Sequence, residues 1–294
     1  MTSAHGRCGP SVVACMLTYR CEGFVESTLQ SLAAQTYPNL HVIVSDDASP
    51  DSSFELCRRF AEGRPQFAVH RQPRNLGWIG NANWLLERAE ADYVFFAFHD
   101  DPLEPGYVQA LVEALERAPE AVLAFSDAVV DFRGAGESWV RSMSYTDLDG
   151  LGSARARLAV LAQRAGLWWL PNRGLFRKSA ALRVGGMRRH LAGEFCADWP
   201  WLLHLSLLGA FVRVPQALVR KVWRDEGLSK SWRWSAHRRI AVTLACLCEI
   251  LRADLPRAER ARLAADFSGY WCRRWLISFF RHVGRFVRAR PHAR

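Results

Sequence analysis

The chain has 294 residues, half of them hydrophobic, and a formal net charge of +10, which suffices for one large α/β unit with a bundled helical tail. Eight scattered cysteines with no C-x-x-C spacing exclude a zinc ribbon or a disulfide framework and point to reduced thiols in a cytosol. Residues 1–10 lack the apolar core of a signal peptide, and no apolar run reaches the about 20 residues that span a bilayer.

In chain order, residues 11–17 read as a buried strand that ends at Thr18-Tyr19-Arg20. A helix over 24–35 follows, with Phe24, Thr28, Leu29 and Leu32 at helical spacing. Tyr37-Pro38-Asn39 makes a turn into a second strand, 41–45, which ends in Asp46-Asp47 before a helix N-cap region, Ala48-Ser49-Pro50-Asp51. A weaker third strand covers 67–70. After Arg74-Asn75-Leu76-Gly77 comes a helix carrying Asn81 and Asn83 and ending near Ala89. Strands alternating with helices at this spacing predict a doubly wound parallel sheet. The absence of G-x-G-x-x-G after the first strand disfavours a dinucleotide fold.

The fourth strand carries the most chemistry. Asp92-Tyr93-Val94-Phe95-Phe96-Ala97-Phe98 runs straight into His99-Asp100-Asp101-Pro102. In open α/β sheets, ligands sit at the carboxyl ends of such buried strands. Two adjacent acids there raise each other's pKa unless a cation or a set of donors lies close. Hard oxygen ligands point to Mg²⁺ or Mn²⁺ arriving with substrate phosphates. A solvated turn after a strand is the other reading of the same residues.

Taken together, Thr18-Tyr19-Arg20, Gln35-Thr36-Tyr37-Pro38-Asn39, Asp46-Asp47-Ala48-Ser49-Pro50-Asp51, Asn75-Leu76-Gly77 with Asn83, and His99-Asp100-Asp101 resemble the family 2 glycosyltransferases in order and spacing. The resemblance covers residues 11–130, and more weakly on to 231. It implies the GT-A fold, an α/β architecture with a Rossmann-like mixed sheet. It also implies an inverting transfer from a nucleotide-sugar donor, most often UDP-linked, that depends on Mn²⁺ or Mg²⁺ as cofactor. Asp47 then accepts a hydrogen bond from the donor's base, as an acceptor-only carboxylate suits. Thr18, Tyr19 and Asn83 line the nucleotide, Asp100 takes the ribose or metal side, and Asp101 is the direct metal ligand. The family's Asn after Thr-Tyr is Arg20 here, and Phe98-His99 stand where an extra acid often begins the cluster. For His99, ligation, hydrogen bonding to phosphate and a structural role are all open, with hydrogen bonding favoured because Mg²⁺ and Mn²⁺ sites are built mostly from oxygen.

In the second half, 171–177 with Gly185-Gly186-Met187 resembles the family's glycine-containing strand and turn beneath the acceptor. Glu194-Phe195-Cys196-Ala197-Asp198-Trp199-Pro200 follows, where the family has Glu-Asp at a helix start. Asp198 is the expected general base; its other reading is a helix N-cap, with Pro200 close behind. Glu194 is a second acid one turn earlier. Strands are expected over 211–214 and 217–222. Trp223-Arg224-Asp225-Glu226 then stands where the family has an Arg-x-His loop: Arg224 either faces the diphosphate or is a solvated loop arginine, and Glu226, at the His position, suits a metal better than a phosphate. The glycine-containing stretch 131–166 reads as a mobile loop that closes over the substrates.

Domain boundaries are expected at 1–231 for the catalytic unit (nucleotide half 11–130, acceptor half 131–231) and 232–294 for a helical appendage, with helices over 232–251 and 256–265. Residues 271–294 hold seven arginines and no acid, interleaved at helical spacing with Trp271, Trp275, Leu276, Phe279, Phe280, Val283, Phe286 and Val287. Such a helix either lies on an anionic membrane surface or packs its aromatics on the catalytic unit. Nothing in it matches a nucleic-acid recognition module. The expected protein is a cytoplasmic enzyme, peripheral on the inner face of the plasma membrane. Its expected acceptor is a lipid-linked or surface-polysaccharide hydroxyl. A metal-carboxylate nucleotidyl or phosphoryl transferase, or a catalytically weak membrane-bound partner protein, are the competing readings.

Overall fold

The computed structural model describes residues 9–134, 137–163, 168–223 and 232–288. Strand β1 (Val12–Thr18) is buried along its whole length, which makes it the centre of the sheet. Its neighbours β2 (Leu40–Asp46) and β4 (Tyr93–Phe98) run parallel to it, and β3 (Phe67–Arg71) lies parallel beyond β2. An apolar run such as Tyr93-Val94-Phe95-Phe96-Ala97 is stable only with both faces covered, and all five side chains are buried.

Past β4 the sheet turns antiparallel. The short β7 (Leu175–Arg177) pairs with β4 and β5 (Ala121–Gly134), and β6 (Glu137–Met143) pairs with β5. Strand β8 (Ala210–Trp223) runs parallel to β5 off this path, giving an eight-stranded mixed sheet in the order β3-β2-β1-β4-β7-β5-β6. The register pairs Thr18 with Asp46 and Leu17 with Phe98, so β1, β2 and β4 end at one edge. Helices α1 (Val25–Ala33), α2 (Ser53–Ala61), α3 (Gly77–Arg88) and α4 (Tyr107–Arg117) return the chain between these strands. Helix α4 shows the stripe that docks such helices: Val108, Leu111, Val112 and Leu115 are buried at spacings of three and four.

Three expectations change. The stretch 131–166 is not one loop: β5 and β6 form a hairpin there, followed by α5 (Ala154–Gln163). The two strands expected over 211–222 are a single β8, with register shifts opposite Ser126 to Ala128 absorbing the irregular middle. The last helix starts as expected but runs on from Arg257 to Arg288.

The helices of the second half gather around α7 (Asp198–Leu208), whose residues Trp199 to Leu207 are all buried, so the expected appendage over 232–294 packs on a helix of the expected catalytic unit. A helix apolar on every side must be enclosed, and α5, α6 (Lys178–Val184) and α8 (Ala236–Arg252) pack around it. The final helix, α9 (Arg257–Arg288), packs on α5 and α8, and its Trp271 is buried 6.5 Å from the Trp199 ring. Trp271 therefore belongs to the core. The side chains beyond Arg273, on which the membrane-facing expectation rests, lie outside the described residues.

One polar contact is sealed inside this bundle. His204 of α7 donates from Nδ1 to Glu249 of α8 at 2.8 Å, and Arg252 reaches the other carboxylate oxygen at 2.5 Å. Burial would push the Glu249 carboxyl up, but the bonds from His204 and Arg252 and the Arg188 charge outweigh it, leaving it below the ordinary carboxylate range. A depressed folded pKa means this stabilisation is full above the unfolded pKa and is lost as pH falls through the folded one. Glu249→Gln is expected to lower unfolding free energy by about 1–3 kcal/mol, read from urea melts at neutral pH, because it weakens the partner of a buried histidine. The difference from wild type should shrink as pH falls through the carboxylate range.

Candidate functional site

The shared sheet edge brings Asp46 and Asp47 of the β2 end beside Thr18 of β1. Asp46 is fully buried, accepts from the Ser49 amide at 2.9 Å, and its Oδ1 has no hydrogen-bond partner among the described residues. Asp47 is 3% exposed and accepts from the Leu76 amide at 2.6 Å, while Asn75 Nδ2 donates to its carbonyl at 3.1 Å. Burial raises the Asp47 carboxyl above its ordinary value, and the Leu76 and Gly77 amides hold part of that rise back. The Asn75-Leu76-Gly77 loop is thus a clamp on Asp47. Its glycine is required: φ is +77°, and a Cβ there would lie 2.4 Å from Glu194 Oε1.

Thr18 is buried and donates to the Ser45 carbonyl at 3.3 Å; Tyr19 is exposed, with the Arg20 guanidinium 5.3 Å from its ring centroid. Arg20 (φ 49°) and Ala48 (φ 57°), on the two loops flanking this pocket, both hold left-handed backbone without being glycine. They are joined through Ser49, whose hydroxyl accepts from the Arg20 amide at 3.1 Å.

At the β4 end, Asp101 is 2% exposed and both of its oxygens are engaged: Arg173 Nε donates to Oδ2 at 2.5 Å and Lys221 Nζ to Oδ1 at 3.1 Å. Lys221 also lies 3.7 Å from Asp100 Oδ2. Burial alone would raise the Asp100 carboxyl, but Lys221, His99 and Arg173 outweigh it and hold it below the ordinary range. The Arg173 guanidinium stacks 4.5 Å from the Phe98 ring centroid and donates from Nη1 to the Trp169 carbonyl at 3.0 Å. His99 Nδ1 meets the Leu17 carbonyl at 3.0 Å, so that nitrogen carries the proton and Nε2 faces away from this bond.

The same short 3-10 turn, Pro171–Arg173, serves a third acid. Asn172 Nδ2 donates to Asp198 Oδ2 at 2.9 Å, and Trp168 Nε1 donates to the same oxygen at 2.8 Å. Trp168 is held by stacking on Trp199, with centroids 5.0 Å apart and planes 7° from parallel. Burial raises the Asp198 carboxyl above its ordinary value, and the Trp168 bond, the Arg173 charge and the first amides of α7 only partly counter it. Asp198 is the first residue of α7; the N-cap is Ala197, so the expected N-cap role does not fall on Asp198, and its side chain is directed at Trp168 and Asn172 instead.

Asn83 sits elsewhere. Its amide is taken by the main chain of Met187, donating to the carbonyl and accepting from the amide at 2.8 Å each, so it fastens α3 to the Gly185-Gly186 turn. Glu194 is brought near Asp47 rather than Asp198 and is paired with Arg189 at 2.8 Å. Arg224 and Glu226 lie outside the described residues. An open cleft of about 690 Å³ between α3 and Met187-Arg188-Arg189 is lined by none of the expected site acids.

Sequence reasoning missed Trp168, Asn172, Arg173 and Lys221. The signal for the two cations was present, since paired acids on a buried strand end require them. Which of the many Arg and Lys residues answer it is a matter of tertiary contact. The fit of a divalent ion follows from the same contacts. A metal needs free carboxylate oxygens, yet both Asp101 oxygens are bound by fixed cations. Among the described residues no three His, Cys, Asp or Glu side chains gather to hold a metal. Asp101 is placed as the anchor of two cations rather than as the direct metal ligand, and the described residues do not fit the ion.

Residues 13–163 match the profile of glycosyl transferase family 2. The putative glycosyltransferase EpsH of Bacillus subtilis is 26% identical over 141 residues, 48% of this chain and 40% of EpsH, so the chain spans less than half the length of that relative. Among solved structures, S. aureus TarS in complex with UDP-GlcNAc has a TM-score of 0.69 at 17% identity, covering 88% of this chain and 72% of TarS. The mannosyltransferase PcManGT from Pyrobaculum calidifontis, in complex with GDP-Man and Mn²⁺, has a TM-score of 0.59 at 17% identity, covering 88% and 70%. These likenesses show the fold, which is GT-A.

Ala48→Gly should stabilise the protein by about 1 kcal/mol, because an L side chain in left-handed backbone costs about 1–2 kcal/mol. The gain is offset in part by the added freedom of glycine in the unfolded chain. Thermal or urea unfolding of the variant checks it, and an unchanged or lower midpoint would show that the backbone there is unstrained.

Proposed function

The chain belongs to glycosyl transferase family 2, and from that premise we propose that it transfers a sugar, with inversion, from a UDP-sugar to a hydroxyl of a lipid-linked or cell-surface polysaccharide acceptor. The observation that carries the reading is Asp198: a half-buried carboxylate of raised pKa, oriented by Trp168 and Asn172, and linked through one turn to the acids at the end of β4.

In this reading Asp47 keeps acceptor capacity beyond its bond to Leu76 and receives the imide N–H of the base, with Thr18 and Tyr19 beside it. Asp100 faces the ribose and diphosphate. The acceptor hydroxyl oxygen attacks the anomeric carbon as the bond from that carbon to the diphosphate oxygen breaks, and the hydroxyl proton passes to Asp198. The nucleoside diphosphate leaves with the bonding electrons. A carboxylate suffices as base because the hydroxyl loses its proton only as the new bond forms, and a raised pKa makes it a stronger acceptor of that proton. Two donors on one oxygen fix the carboxylate's direction, which a base needs as much as its basicity. The choice of UDP draws on a neighbour that holds UDP-GlcNAc, against another that holds GDP-Man. The Mn²⁺ or Mg²⁺ implied by the family enters no step here. The acceptor class and a peripheral site on an anionic leaflet draw on the arginines of 271–294, each contributing on the order of 1 kcal/mol near such a surface.

Asp198→Asn is expected to reduce kcat by about 10²–10⁴-fold while leaving nucleotide binding unchanged, measured by turnover of a UDP-sugar and by calorimetry with UDP. In wild type, activity should fall as pH drops through a midpoint above the ordinary carboxylate range, because Asp198 must be ionised to act and its pKa is raised. An equal loss of UDP binding and kcat in the variant would show that Asp198 supports the fold and is not the base.

A further inference from the structure

We infer that Lys221, backed by Arg173, takes the place of a divalent cation in this protein and binds the donor diphosphate directly, so that donor binding needs no metal. The inference rests on the glycosyltransferase reading above and extends it to the charge that holds the diphosphate.

The geometry comes first. Lys221 Nζ sits 3.1 Å from Asp101 Oδ1 and 3.7 Å from Asp100 Oδ2, bridging two acids as a shared cation would. Arg173 supplies the second positive charge from behind at 2.5 Å. Two fixed single charges on two carboxylates give the same formal balance as one divalent ion. The pair is not a chance surface contact. The side chains of Arg173 and Asp101 are 10% and 2% exposed, while Lys221 (16%) and Asp100 (30%) form the accessible edge.

Backbone pairing fixes Lys221 in place. The Arg220 amide donates to the Pro102 carbonyl at 2.9 Å and the Glu104 amide to the Leu218 carbonyl at 2.9 Å, so β8 runs alongside the segment that leaves Asp101. Leu103 bridges to Val219 in the same short ladder. That pairing places residue 221 beside the acids whatever its side chain is, and here it is a lysine. An ammonium has three donors, so one directed at Asp101 leaves others for phosphate oxygens.

The departure at Phe98 fits the same account. An acid there would lie against Arg173, whereas the aromatic ring gives the guanidinium a face to stack on at 4.5 Å. The ring and the guanidinium together remove one carboxylate from the cluster and add one cation to it. Charge that is already in place requires no reorganisation when the diphosphate leaves.

The test is calorimetric binding of UDP and of GDP to the full chain, in EDTA and in Mn²⁺, for wild type, Lys221→Ala and Lys221→Arg. The inference expects wild type to bind one nucleotide with the same Kd, within about twofold, in EDTA and in Mn²⁺. It also expects Lys221→Ala to weaken binding in EDTA about tenfold or more and Lys221→Arg to retain most of it, as loss and retention of one charged contact would do. Thermal melts of both variants separate a lost contact from a lost fold: if Lys221→Ala does not fold, the Lys221→Arg and wild-type arms still decide. Wild-type binding that strengthens about tenfold or more with Mn²⁺ overturns the inference and leaves the glycosyltransferase reading intact. Unchanged binding by a folded Lys221→Ala overturns it as well. No binding of either nucleotide in any condition overturns both.

Discussion

The site hangs on the ion pair between Arg173 and Asp101. A carboxylate at the end of a buried strand cannot stay ionised without a partner, and isolated burial of a charge is far more costly than a lost hydrogen bond. Arg173 meets that need at 2.5 Å, and its own position is fixed by the Trp169 carbonyl, the Phe98 ring and the Tyr107 hydroxyl, which donates to its carbonyl. Because Arg173 is held, the residue before it is held too. Asn172 then delivers its amide to Asp198, 26 residues further along the chain. One turn of three residues therefore sets the distance and orientation between the acids at the end of β4 and Asp198.

Such a pair is poor evidence for stability, since desolvating both charges offsets much of their attraction. Its value lies in fixing geometry. The charges around Asp100 and Asp101 are neutralised before any ligand arrives, and their positions are set by a sheet and a tight turn rather than by mobile loops. Preorganised charge of this kind acts on a leaving diphosphate without first having to rearrange. The acceptor side is held differently. Asp198 starts a helix enclosed by α5, α6 and α8, and it is steered by a tryptophan that stacks on the next residue of that helix. The packing of these helices thus reaches Asp198 through one aromatic contact, and Trp271 of the last helix lies against the same Trp199.

Left-handed backbone without glycine occurs on both sides of the site, at Arg20 and Ala48 around Asp47 and at Cys196 just before Asp198. Both Arg20 and Ala48 hold a conformation that Gly or Asn adopts more readily. Ser49, bonded to both Asp46 and Arg20, ties the two strained loops together.

The strands, their order to β4 and the acids at their ends were legible in the sequence because each is a local pattern. Apolar runs define buried strands, and acids, Pro and Asn mark where those strands stop. Gly77 was legible as part of the Asn-x-Gly loop, and its main reason, a positive φ, is local as well. What no local pattern contains is partner choice. Nothing in the composition around residues 173 and 221 separates those two cations from the rest of the chain's Arg and Lys; they become site residues only because the 3-10 turn and β8 lie against the end of β4. Asn83 shows the converse, since a residue matching a family motif spends its amide on Met187. The sequence by itself determined the fold class and the carboxylates. Only the tertiary structure decided which cations meet those carboxylates, because that depends on contacts between segments about 70 and 120 residues apart, which no periodicity records.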